Sequence, residues 1–133
     1  MVDAARQSSS LFDRVGGEAF FEALIERFYA AVEADPLLRP LYPADLTPSK
    51  QHLALFLAQY WGGPPTYNSL RGHTRLRMRH VRFAIGPTER NAWVRHMRAA
   101  VESSDAAPED KQALLDYFET AATSLINQPF FAL

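Results

Sequence analysis

The chain carries four histidines, His52, His73, His80 and His96, and no cysteine. Imidazole can ligate a metal, move a proton or simply fill a core. No pair has the His-x₃-His spacing that sets two imidazoles on one helix face, and no acid lies near His73 or His80 in sequence. A zinc site is therefore poorly supported. The missing cysteine excludes disulfides, thiolate nucleophiles, thiolate metal sites and iron–sulfur clusters. The surroundings of His80 are unusual. Five arginines (Arg71, Arg75, Arg77, Arg79, Arg82) and no acid lie between Arg71 and Arg82, on a chain whose net charge is −1. A local positive cluster on an acidic background suits a small anionic partner held at one place. A solvated arginine face with surface salt bridges is the plainer alternative.

A single axial histidine to a haem iron needs no second ligand close in sequence. It needs a helix that aims one imidazole at a flat apolar pocket, and cations for two propionates. His80, with Leu76 one turn before it, fits that pattern. The aromatic residues Phe28, Tyr29, Tyr42, Phe56, Tyr60, Trp61, Tyr67 and Trp93 are spread over several segments. Aromatics at helical spacing usually build core, but phenols and indoles need polar partners when buried. If Tyr29, Tyr42 and Trp93 converge, two phenols and an indole N–H share one apolar cavity and can hold a small polar ligand. Other chemistry finds no support. Gly16-Gly17 lacks a preceding strand and a P-loop Lys-Ser/Thr pair, so it reads as a turn. Serines cluster in an N-terminal tail and no Gly-x-Ser-x-Gly occurs. The Glu109-Asp110 pair opens a helix, where the dipole accounts for it.

These residues must be positioned by helices. The length, 133 residues, is that of one domain, and 47% apolar content supports a real core. Segments of helical period run Glu18–Ala34, Ser49–Trp61, from Gly86-Pro87-Thr88 onward with Thr88 as N-cap, and Pro108–Asn127. Their expected apolar faces include Phe20, Phe21, Leu24, Phe28 and Val32, then Leu53, Phe56, Leu57 and Tyr60. The 9 prolines and 6 glycines all fall between such segments. Residues 35–48 read as loop or single turns, and a breaker-rich stretch reaches Gly72, anchored by Tyr67 and Leu70. A short helix spans His73 or Thr74 to Arg82. No strand-like alternation competes, so the class is all-α. Residues 1–10 read as a flexible extension and 11–133 as the domain. The longest apolar run is Leu53–Ala58, too short for a membrane, and the N-terminus lacks a signal-peptide core. The near-neutral charge argues against nucleic acid as partner. A cytoplasmic location is the expectation.

Several stretches together resemble the group II (O-type) truncated haemoglobins. They are Asp13–Gly17, Arg27-Phe28-Tyr29, Tyr42-Pro43, Gln59–Pro64, Tyr67, Arg71-Gly72-His73, Arg75–His80, Glu89–Trp93, Leu114–Tyr117 and Asn127–Phe130. The run from Arg71 to His80 together with Trp93 is the most specific part.

The resemblance implies a two-over-two helical sandwich around haem b. His80 then matches the proximal ligand and the iron's only protein ligand. Trp93, Tyr29, Tyr42, Ser49 and Leu53 match ligand-side positions, and His52 lies one turn on from Ser49, toward solvent or a propionate. Phe28, Phe56, Tyr67 and Leu76 match haem contacts, with Arg71 and Arg79 the best propionate partners. Implied ligands are O₂, NO, CO and peroxide. Donors from Tyr42 and Trp93, with Tyr29 inside the cage, would hold O₂ too tightly for bulk transport. Peroxide or NO turnover is compatible but needs an external reductase, since the chain has no flavin or nicotinamide motif. The exposed apolar end Phe130-Phe131-Ala132-Leu133 makes a homodimer conceivable. The rival from another class is a cofactor-free all-α interaction module whose arginine patch meets an acidic partner; it predicts a colourless protein.

Overall fold

A computed structural model describes residues 9–71 and 85–124. Its first helix, α1 (Leu11–Val15), opens at Ser10, whose Oγ accepts the Asp13 N–H at 3.1 Å. It closes on Gly16 and Gly17, with φ of +106° and +79°, backbone that a side chain would strain. The glycine pair is thus a turn, as its sequence context suggests. Helix α2 (Glu18–Glu33) buries Phe21, Leu24, Ile25, Phe28, Tyr29 and Val32, steps of three and four along one face. Phe20, expected on that face, is only partly buried.

The next segment is shorter in loop than its four prolines suggest. A 3₁₀ turn covers Arg39–Leu41, and helix α3 (Thr47–Tyr60) starts two residues before Ser49. Pro48 lies in its first turn, where a missing N–H costs nothing. The Asp45 carboxylate accepts the Thr47 N–H at 3.0 Å, a local stop for the preceding loop. The breaker-rich stretch after Gly63 also holds a helix, α4 (Thr66–Arg71), which buries Tyr67. Helix α5 (Pro87–Glu102) is capped by Gly86, not Thr88. The Glu89 carboxylate accepts the Gly86 N–H at 2.7 Å, and Pro87 takes the first helical position. Helix α6 (Pro108–Ser124) follows. Pro108 opens α6 as expected, and Pro48 and Pro87 likewise stand within helix starts rather than between segments. The expected short helix over His73–Arg82 and the end of the last helix at Asn127 lie outside the described residues.

Helix α2 packs on α3 and on α5, and α5 packs on α6. That is the two-over-two arrangement, and no strand occurs among the described residues. Phe21, Leu24, Phe28, Val32, Met97, Val101 and Leu114 lie at 0% exposure where the pairs meet. The covered stripe of α3 is Ala54, Leu57 and Ala58. Leu53 and Phe56 flank it, and Tyr60, expected on the buried face, is 55% exposed.

Two tertiary ties bind the first helix to the rest. The Phe12 N–H donates to the Trp61 carbonyl at 3.0 Å across the end of α3. A Cβ on Gly63 would come within 2.7 Å of the Phe12 ring and 2.8 Å of the Ala58 oxygen, so only glycine permits this approach. The second tie is ionic. Arg14 donates from Nη2 and Nε to Asp110 Oδ1 at 2.9 and 3.2 Å. The Asp110 carboxylate is 4% exposed, so the helix dipole alone does not account for it. Arg14→Ala leaves that carboxylate buried without its main cation. A loss of about 3 kcal/mol is expected, the low end for broken buried pairs because water reaches the guanidinium. Chemical denaturation measures it; an unchanged midpoint would show the pair to be idle.

Candidate functional site

Phe28 and Tyr29 are consecutive on α2, one turn from its end. Tyr42 follows the 3₁₀ turn, and Trp93 lies in the second turn of α5. The fold brings all four together. The Tyr29 and Tyr42 rings meet edge-on, centroids 5.5 Å apart, and Phe28 lies 5.1 Å from both Tyr29 and Trp93. Tyr29 is buried, Tyr42 partly so. Burial pushes the Tyr42 phenol up to about 12, against a smaller downward pull from its polar contact with the Trp93 N–H. Burial, and then the neighbouring Tyr42, raise Tyr29 well above the ordinary phenol range. Both phenols therefore keep their protons at neutral pH. The knot offers uncharged donors in an apolar setting.

The loop carrying Tyr42 is clamped by one side chain. Arg39 donates from Nη1 to the Tyr42 and Pro43 carbonyls at 3.3 and 2.9 Å, and from Nη2 to Ala44 at 2.8 Å. Three successive carbonyls on one planar cation hold the loop in a single path. Nothing in the sequence around Arg39 points to this role, because the clamp exists only once the loop has turned back. Arg39→Ala frees Tyr42 without touching its ring. A severalfold faster ligand release with an unchanged far-ultraviolet spectrum is the expected result; stopped-flow release kinetics check it.

A second group lies along α3. Ser49 is partly buried in the first turn, Leu53 one turn further, and Phe56 after it. Phe56 meets the buried Tyr67 ring at 5.4 Å, edge-on. Leu53 and Phe56 pack against the core yet stay incompletely covered. His52 is partly buried and has an interaction of its own. His96 is committed elsewhere: its Nε2 lies 2.7 Å from Asp35 Oδ2. That bond, then the Leu37 amide, hold the Asp35 carboxyl below its usual range. Among the described residues no cluster of His, Asp and Glu can hold a bare metal ion. Arg71 is the last residue of α4. His80, Leu76 and Arg79 lie outside the described residues. Phe118 on α6, 5.8 Å from Trp93, belongs to the knot as well. Its place on the apolar face of the last helix was legible, its partner was not.

The donor set fits a haem. Phe28, Leu53 and Phe56 are apolar, and two neutral phenols with an indole N–H could meet a small polar ligand without bringing charge to it. Comparison with known proteins decides the family: residues 10–127 match the model of the bacterial-like globins. The chain belongs to the bacterial-like globin family. It is 37% identical over 112 residues to the Group 2 truncated hemoglobin YjbI of Bacillus subtilis, covering 84% of this chain and 85% of that protein. The solved hemoglobin of the thermophilic phototroph Chloroflexus aurantiacus superposes with a TM-score of 0.88 at 49% identity, covering 90% of this chain and 99% of that one. The Group II truncated hemoglobin of Bacillus anthracis gives 0.86 at 33%, covering 90% and 98%. As a truncated globin, the protein binds haem and small gaseous ligands such as O₂. No helix among the described residues is long and apolar enough to cross a membrane.

Proposed function

We propose that this truncated globin binds O₂ and other diatomic ligands at a haem b held by His80, with a Tyr/Trp cage on the ligand side. The convergence of Tyr29, Tyr42 and Trp93 around Phe28 carries this reading. The haem supplies reversible binding of diatomic ligands when present. The chain's own residues do the rest. Trp93 Nε1–H and the Tyr42 hydroxyl donate to a bound ligand, and Tyr29 braces Tyr42 from within the cage. Ser49 and Leu53 line the ligand entrance from α3. Phe28, Phe56, Tyr67 and Leu76 face the ring, and Arg71 and Arg79 offer the cations for its propionates. Donors in a low-dielectric pocket gain strength and slow the ligand's departure.

Slow release suits redox chemistry or sensing better than bulk transport. Turnover of NO or peroxide needs an electron donor, an unidentified reductase in this reading. The globin would work in the cytoplasm as one domain over residues 11–133, after a flexible extension at residues 1–10. A homodimer would use the apolar C-terminal residues Phe130 and Phe131, which lie outside the described residues. An absorption spectrum of the purified protein tests the core of the proposal. A Soret band that shifts when CO is added to the reduced protein is expected; a colourless protein would return the interaction-module reading, which family membership otherwise sets aside.

A further inference from the structure

Helix α5 touches the segment after α2 at two polar points. Trp93 meets the Tyr42 phenol, and one turn on His96 Nε2 meets Asp35 Oδ2 at 2.7 Å. A carboxylate only accepts, so the imidazole donates from Nε2. Both side chains of this second contact are mostly covered, His96 at 19% exposure and Asp35 at 13%. Arg95 comes only within 3.8 Å of the same oxygen and is largely in water, so it adds little. The proposed cage uses the first contact and not the second.

Asp35 is the root of the loop that carries Tyr42. Its Oδ1 accepts the Leu37 N–H at 2.9 Å, and its carbonyl accepts the Leu38 and Arg39 N–H groups at 3.2 and 2.9 Å. The Arg39 carbonyl then accepts the Tyr42 N–H at 3.2 Å, and the Arg39 guanidinium clamps the carbonyls beyond. A continuous run of hydrogen bonds thus leads from the His96 imidazole to the backbone of Tyr42.

We infer that His96 is a positioning residue for the ligand side: it locks Asp35, and through Asp35 and Arg39 it fixes where the Tyr42 hydroxyl is presented. This rests on the proposed reading of Tyr42 as a donor to the bound ligand. The physical reason is preorganisation. A donor already held in place spends none of its interaction on ordering the loop that bears it. A hydrogen bond to a charged acceptor is a stronger tie than a neutral one, and this one ends on a mostly covered carboxylate. With the tie broken, the loop is expected to fluctuate about its root, and Tyr42 is presented for only part of the time. A tie that served stability alone would leave ligand release untouched.

Variants of the haem-loaded protein test the inference from both ends of the tie. His96→Leu removes the donor and keeps apolar bulk, and His96→Gln returns an N–H to Asp35. Asp35→Ser keeps an oxygen for the Leu37 amide on a side chain too short to reach His96. His96→Leu and Asp35→Ser are each expected to speed O₂ release severalfold. Both should raise the stretching frequency of bound CO, which falls when a donor reaches the ligand. Both should also quicken amide hydrogen exchange over residues 36–44, a readout of the chain itself. His96→Gln should restore all three. In a Tyr42→Phe background, His96→Leu should change release no further. Unchanged O₂ release in both His96→Leu and Asp35→Ser would overturn the inference, as would an acceleration that persists without the Tyr42 hydroxyl. A CO stretch that ignores Tyr42→Phe itself would instead overturn the donor reading of Tyr42, and the role of His96 with it. A stretch that follows Tyr42→Phe but neither His96→Leu nor Asp35→Ser removes the role of His96 alone.

Discussion

Replacing His80 with alanine is expected to remove the Soret band from the purified protein, while His96→Ala and His73→Ala keep it. The chain has no cysteine, so a thiolate cannot take over as axial ligand. His96 is held by Asp35 at 2.7 Å, with the Arg95 guanidinium 3.8 Å from the same carboxylate oxygen. Freeing it would break a hydrogen bond between the loop after α2 and the middle of α5. His52 sits on α3 between Ser49 and Leu53 in sequence, the residues proposed for the ligand entrance. Loss of the band in His80→Ala, restored by free imidazole, would identify the axial position. A band that survives unaltered would remove His80 from that role and with it the reading of the arginine cluster as a propionate site.

Trp93→Phe is expected to speed O₂ release by about ten- to a hundredfold. A hydrogen bond to a strongly polarised acceptor contributes about 1.5–3 kcal/mol, and about 1.4 kcal/mol is a factor of ten in rate. The aromatic contacts with Phe28 and Phe118 are kept by the phenyl ring, so the change isolates the N–H. Stopped-flow release of O₂ measures it, and a rate unchanged by the substitution would count against the cage. The phenols add a pH test. Tyr42 titrates at about 12, above an ordinary phenol, so it stays a donor across the physiological range. Release should be flat with pH until Tyr42 ionises, and then rise. Stability follows the same direction. A group whose folded pKa is raised contributes fully below its unfolded pKa of about 10 and loses that contribution as pH climbs through the folded value.

Much of the architecture is legible in the sequence. Helical period in α2 comes from local side-chain spacing, and its buried face matches it at Phe21, Leu24, Phe28 and Val32. Errors fell where the period says least. Leu53 and Phe56 look like the core stripe of α3, yet Ala54, Leu57 and Ala58 hold that place. Hydrophobicity marks which residues avoid water but not which of two apolar surfaces each one faces. The cap of α5 moved from Thr88 to Gly86 because the Glu89 carboxylate reaches back to the Gly86 amide. A competing cap of this kind is settled by geometry of a few ångströms, below what residue type alone conveys.

The sequence by itself determined an all-α chain without thiol chemistry, and its motifs pointed to the globin family. Those properties depend on residue type and on spacing along one helix, which are local. Only the tertiary structure decided that Phe28, Tyr29, Tyr42 and Trp93 meet, that Arg39 clamps the Tyr42 loop, and that Asp110 is buried against Arg14. These depend on how α2 crosses α5 and on how an aperiodic loop turns back. Packing of whole helix faces sets both, and no short stretch of residues encodes it.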